Sequence, residues 1–153
     1  SYSYRFQVGD MSALKSGQLG IHRSHQNGLD AYVAYLRKNR LEVDPYRNDG
    51  LYESFVVKGK ASENFDVERN WKILYTAFLT GRVNRVFVDW AIKDAFCIYA
   101  RKDGYTPEET ELLRRMQHVD SHDDHFHLRL TCPTRSSECQ DQKVPDPGHG
   151  CRI

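Results

Sequence analysis

The chain has 153 residues, of which 39% are hydrophobic, 12% aromatic and 28% charged. That is the length and balance of one ordinary soluble domain with a sizeable core, which argues against a coiled coil or a disordered tail. Lys and Arg number 22 against 21 Asp and Glu, for a formal charge of +1. No strong field therefore draws the chain to nucleic acid or an anionic membrane, and at a mean hydropathy of -0.70 no stretch approaches a membrane span. The whole of 1–153 reads as a single domain.

The start, Tyr2 to Val8, alternates loosely and runs into Gly9-Asp10, predicting a strand that ends in a loop. Met11 to Asn27 lacks periodicity and reads as a long loop. Leu29 to Leu36 predicts a β segment, followed by the basic stretch Arg37-Lys38-Asn39-Arg40, a solvated turn, and by a turn at Asn48-Asp49-Gly50. Asp66 can cap a helix that places Val67, Trp71, Leu74, Tyr75, Phe78 and Leu79 on one face and stops at Gly81. Val83 to Val88 predicts a β-branched strand, and Trp90 to Ala100 a second helix with Ile92, Phe96 and Cys97 inward. Thr106-Pro107-Glu108-Glu109 is a capping-box pattern opening a third helix through Met116. In His125-Phe-His-Leu-Arg-Leu-Thr131 strict alternation puts His125, His127 and Arg129 on one face and Phe126, Leu128 and Leu130 on the other. The sum is an α+β fold, with helices packed on a small antiparallel sheet. Trp71 and Trp90 read as core residues, and His149 as a surface residue.

The cysteines, Cys97, Cys132, Cys139 and Cys151, form no Cys-x-x-Cys unit. Three of them lie in a tail, from about residue 132, that is rich in Pro, Gly, Asp and Ser and can bury little apolar surface. An even count in such a context reads as two disulfides and an oxidising compartment, with three pairings open.

Six of the seven histidines fall in two places: His22 and His25 ahead of the first long β segment, and His118, His122, His125 and His127 near the last strand. Neutral imidazole nitrogens bind zinc, and two histidines alternating on a strand point the same way. His-x-His also arises on solvated strand faces, but the second cluster favours a metal.

The segments Ser24-His25-Gln26-Asn27-Gly28-Leu29-Asp30 and His122-Asp-Asp-His125-Phe-His127-Leu-Arg-Leu-Thr-Cys132-Pro133 resemble those of the penicillin-insensitive murein endopeptidases. The likeness extends to Gly9-Asp10-Met11, Val86-Phe-Val-Asp89, Ile92-Lys93, Ser137-Glu138-Cys139 and Gly148-His-Gly-Cys151, nearly the whole chain. This family belongs with the wider zinc peptidases that include lysostaphin-type enzymes, D-Ala-D-Ala peptidases and the hedgehog signalling domain. The resemblance implies a hedgehog-like α+β fold and a bound Zn2+ with His25 and His127 as ligands. His122 and His125 would lie beside the metal as catalytic residues, one taking a proton from the attacking water and the other steadying the tetrahedral intermediate. His22 stands where some members have a histidine close to the metal. It further implies the pairs Cys132–Cys139 and Cys97–Cys151, hydrolysis of the D-alanyl to meso-diaminopimelyl cross-bridge of peptidoglycan, and a periplasmic or secreted location.

The family's third ligand is an aspartate seven residues after the first histidine, and this chain has Tyr32 there. Asp30 should face the same way but about 6.5 Å further along the strand, so that it could replace the missing carboxylate only through a shift of register. Tyr32 could itself bind as a phenolate, given a displaced metal. Asp49 is a third oxygen donor, and Tyr52 stands where some members carry a metal-associated histidine. Three readings follow: a zinc peptidase with an altered ligand set, a catalytically impaired relative that binds peptidoglycan peptides, and a periplasmic domain whose histidines are merely solvated.

Overall fold

The computed structural model describes residues 7–9, 11, 28–39 and 53–152. The expectations for Tyr2 to Phe6, Asp10, residues 12–27 (with His22, Ser24 and His25), Arg40, the turn at Asn48-Asp49-Gly50 and Tyr52 lie outside the described residues.

The element order is β1 (Asp30–Ala34), β2 (Val56–Val57), β3 (Lys60–Ala61), α1 (Val67–Leu79), β4 (Val83–Val88), α2 (Trp90–Ala100), a 3-10 turn (Arg101–Asp103), α3 (Pro107–Arg115), β5 (Met116–His118) and β6 (His125–Leu130). The main sheet runs β1-β6-β4-β5. Its β1–β6 and β4–β6 pairs are antiparallel, as the sequence suggests, whereas β5 joins β4 in parallel. The α2–α3 crossover between β4 and β5 is what allows a parallel neighbour. The small β2–β3 hairpin closes on Lys58 and Gly59, both with positive φ of 50° and 73°, as a two-residue turn between right-twisted strands requires.

α1 starts where Asp66 accepts a hydrogen bond from the Arg69 amide, satisfying one of the first-turn donors that no helical carbonyl can reach. Trp71 and Leu74 are buried as the periodicity predicts, but Leu79 is exposed and Asn70 is fully buried. Ala77 and Phe78 still pack against the core in the last turn of α1, and only Leu79 at its end turns outward, while Asn70 serves the backbone. Its amide donates to the Leu36 and Asp66 carbonyls at 3.0 and 2.8 Å, and its oxygen accepts from the Leu36 amide at 2.9 Å. α3 has the expected capping box between Thr106 and Glu109.

One face of the sheet carries the core. Val33, Val86, Val88 and Phe126 pack against Trp71, Leu74, Ile92, Phe96, Leu112 and Leu113. Tyr35, Phe55, Phe65 and Phe126 add a cluster of ring contacts, with Tyr35 at 5.2–5.9 Å from the other three. In β4 the buried valines fall at 83, 86 and 88, a spacing that breaks strict alternation. A register shift between Val83 and Arg85 accounts for it, because one extra residue returns Val83 to the core face.

Trp90 departs from its expected core role. It is half-buried, stacked on His118 at a centroid distance of 5.0 Å and covered on the tail side by Arg152 at 4.4 Å. His149 is also half-buried, its Nδ1 accepting from the Cys151 amide at 2.9 Å and its ring 4.9 Å from Tyr105. Disulfides Cys97–Cys151 and Cys132–Cys139 tie the tail down, the former to the buried face of α2. Lys38 and Asn39 form an exposed turn, but Arg37 pairs with Glu53 and bridges to Phe65.

Candidate active site

The sheet face turned away from the core is built by register. Tyr32 of β1 stands directly opposite His127 of β6, Ala34 opposite His125, and Asp30 opposite Arg129. On the other side of β6, Phe87 of β4 is opposite His127 and Arg85 opposite Arg129. Period-two alternation therefore gathers Asp30, Tyr32, Arg85, Phe87, His125, His127 and Arg129 on one surface.

The turn before β6 adds His122. Ser121, at a φ of 61°, bends the chain so that His122 Nδ1 meets the Asp120 carbonyl at 2.8 Å. The His122 carbonyl receives the Asp89 amide at 3.2 Å and the buried Tyr35 hydroxyl at 3.3 Å. Burial first, and the Asp89 charge next, hold that phenol well above its ordinary pKa, so it remains a donor.

The rings are close. His122 and His125 lie with centroids 4.9 Å apart, and His122 and His127 stack at 6.1 Å. Tyr32 touches all three, at 4.4 Å from His125, 5.0 Å from His127 and 6.3 Å from His122. Phe87 closes the opposite side at 5.0 Å from His127. His122, His125 and His127 are each less than a tenth exposed.

Each imidazole is held through one nitrogen by an oxygen. For His122 it is Nδ1 on a carbonyl, which only accepts, so Nδ1 carries the hydrogen and Nε2 the lone pair of the neutral ring. Burial and then the neighbouring His125 and His127 lower the His122 pKa, against the pull of the Asp120 carbonyl. For His125 it is again Nδ1, on the Asp124 carboxylate. For His127 it is Nε2, 2.7 Å from Asp30 Oδ1, while Asp30 Oδ2 accepts from Arg129 Nη1 at 2.8 Å.

The donor chemistry suits zinc in kind, being imidazole nitrogens with an oxygen donor beside them. His122 Nε2 is moreover a buried nitrogen with no hydrogen-bond partner among the described residues. Those residues alone do not complete a site, since no group of three or more His, Cys, Asp or Glu among them is arranged for a metal. His25 and His22, from which the sequence reading draws further ligands, lie outside them. Asp30 has both oxygens engaged, and Tyr32 occupies the position between the histidines. Asp120, Asp124 and Arg129 escape the sequence reading as partners of these rings; the alternation of β6 places Arg129 on the histidine face but does not say what it meets.

A family model described as penicillin-insensitive murein endopeptidase matches residues 3–153 of the chain. The chain belongs to that family. Proteins named penicillin-insensitive murein endopeptidase from Salmonella paratyphi B and Salmonella newport are each 33% identical to it over 155 residues, covering 94% of this chain and 52% of the relative. The chain thus spans about half the length of these curated murein endopeptidases. No helix among the described residues is long and apolar enough to cross a membrane.

Proposed function

We propose that the chain is a peptidoglycan peptidase acting outside the cytoplasm, on cross-link or stem peptides of murein, and that it uses a zinc ion. The observation that carries this reading is the gathering of His122, His125 and His127 on one sheet face, each with one ring nitrogen fixed by an oxygen acceptor. Solvated surface histidines have no reason to be buried together with their tautomers constrained. Family membership and the two disulfides, which suit an oxidising compartment, support the substrate and the periplasmic or secreted location.

In this reading His25, His127 and Tyr32 hold the metal, with His22 close by. Zinc in such a setting supplies a Lewis acid for the scissile carbonyl and acidifies water to a pKa of about 7. The remaining work falls to the chain. His122, with its lone pair on Nε2 and its pKa lowered by burial, receives the proton of the attacking water. His125, its Nδ1 held on the Asp124 carboxylate, steadies the developing oxyanion as an imidazolium, donating a hydrogen bond from Nε2. Phe87 and Tyr32 wall the face and exclude water.

One observation favours a second reading. The Tyr32 ring packs against all three histidines where the family has an aspartate, so the face could hold a murein peptide without cleaving it. Incubating purified muropeptide dimers with the chain, with and without a zinc chelator, tests the two. Chelator-sensitive cleavage to monomers supports the peptidase. Binding of the dimers without cleavage, with cleavage gained in Tyr32→Asp, supports the binding protein.

A further inference from the structure

We propose that Asp30, locked by Arg129, is a positioning residue that selects which nitrogen of His127 faces the metal. The inference rests on the reading of His127 as a ligand. Asp30 is one of the three oxygen donors that the sequence offers as a substitute ligand, and the geometry gives it another task.

The Asp30 carboxylate is fully buried, with a side-chain exposure of 0%, and Arg129 is only 10% exposed. A carboxylate in that setting needs a cation, and Arg129, directly opposite across the β1–β6 ladder, supplies it through Oδ2. Oδ1 is then fixed toward His127, the diagonal neighbour on β6, and accepts from Nε2 at 2.7 Å. An ionised carboxylate only accepts, so Nε2 must carry the hydrogen and Nδ1 the lone pair. His127 is thereby set opposite to His122 and His125, whose Nδ1 atoms are the ones held. Carboxylates behind a ligating imidazole orient the ring and raise its basicity, and losing one weakens metal binding about 10–100-fold.

Asp30→Asn makes the test sharp. Arg129 can only donate, so the oxygen of the introduced carboxamide must turn to it and the NH2 group must face His127 Nε2. That nitrogen then has to accept, and the ring is forced to the Nδ1–H form, with no lone pair on Nδ1 for a metal. The tautomer is read directly from two-bond 1H–15N correlations of the full chain labelled with 15N-histidine, without metal. The expected result is Nε2–H at His127 in the native chain and Nδ1–H in Asp30→Asn, with His122 unchanged. Titration with Zn2+ alone should show affinity falling about 10–100-fold in Asp30→Asn.

Nδ1–H at His127 in the native chain overturns the proposal, and so does native zinc affinity in a folded Asp30→Asn. Should the native chain bind no zinc, the metal reading fails by itself, and the tautomers in the two chains still decide whether Asp30 sets the ring. Should Asp30→Asn not fold, the tautomer of the native chain decides it: Nε2–H at His127 upholds the proposal and Nδ1–H overturns it.

Discussion

The two disulfides close loops of very different length, which predicts unequal contributions to stability. Cys97 and Cys151 are 54 residues apart and Cys132 and Cys139 only 7. In the chain-entropy account a cross-link stabilises by removing freedom from the unfolded chain, with a logarithmic dependence on loop length. That relation gives about 4 kcal/mol for the long loop and about 2.5 kcal/mol for the short one at 25 °C. Geometry adds to the contrast. Cys97 is completely buried in the face of α2 that meets the core, whereas Cys132–Cys139 pins only the tail to itself. Equilibrium urea unfolding of Cys97→Ala/Cys151→Ala and Cys132→Ala/Cys139→Ala, with linear extrapolation to water, should show a loss of about 4 kcal/mol or more in the first and no more than about 2.5 kcal/mol in the second. The urea dependence should steepen more in the first, because the freed chain exposes more surface when unfolded. Equal losses, or a larger loss from the short loop, would refute the reasoning.

Further expectations concern the helices that support the site. Asp66→Ala removes the acceptor that caps α1 and should lower stability by about 1 kcal/mol in thermal unfolding followed by circular dichroism; no change would show that solvent replaces the cap. Burial lowers the Lys93 ammonium from its ordinary 10.5 to about 8, opposed by Asp94. Between those values the unfolded chain binds a proton that the folded one does not, so stability rises with pH across about 8 to 10.5 as the penalty of the buried cation is relieved, by up to about 3 kcal/mol. The rise should vanish in Lys93→Met; parallel profiles for the two chains would contradict it.

Much of this architecture is legible in the sequence because it is local. Periodicity and caps mark α1, β4, α2 and α3, and the strict alternation of β6 separates the histidine face from Phe126. The disulfide pairs implied by the family resemblance are the ones that form. What escapes is set by tertiary contacts. Leu79 keeps the helical spacing but lies beyond the core edge, while Asn70 is buried because the Leu36 backbone needs its amide. Trp90 is apolar enough for the core, yet the end of β5 gives it His118 and the tail returning to α2 gives it Arg152 as stacking partners. The parallel β5 depends on a crossover that no local pattern marks. Asp30 is legible as a carboxylate on the Tyr32 side of its strand, but its engagement by His127 and Arg129 depends on the β1–β6 register, which alternation within a single strand does not fix.

The most direct test of the account is the zinc content of the purified chain, measured by inductively coupled plasma mass spectrometry beside His127→Ala and Tyr32→Asp, with muropeptide dimers offered to each. The account predicts one zinc per native chain, lost in His127→Ala together with peptide cleavage, and retained in Tyr32→Asp. A native chain that binds no zinc and leaves the dimers intact, while Tyr32→Asp gains both, would contradict it and leave a binding protein built on a peptidase frame.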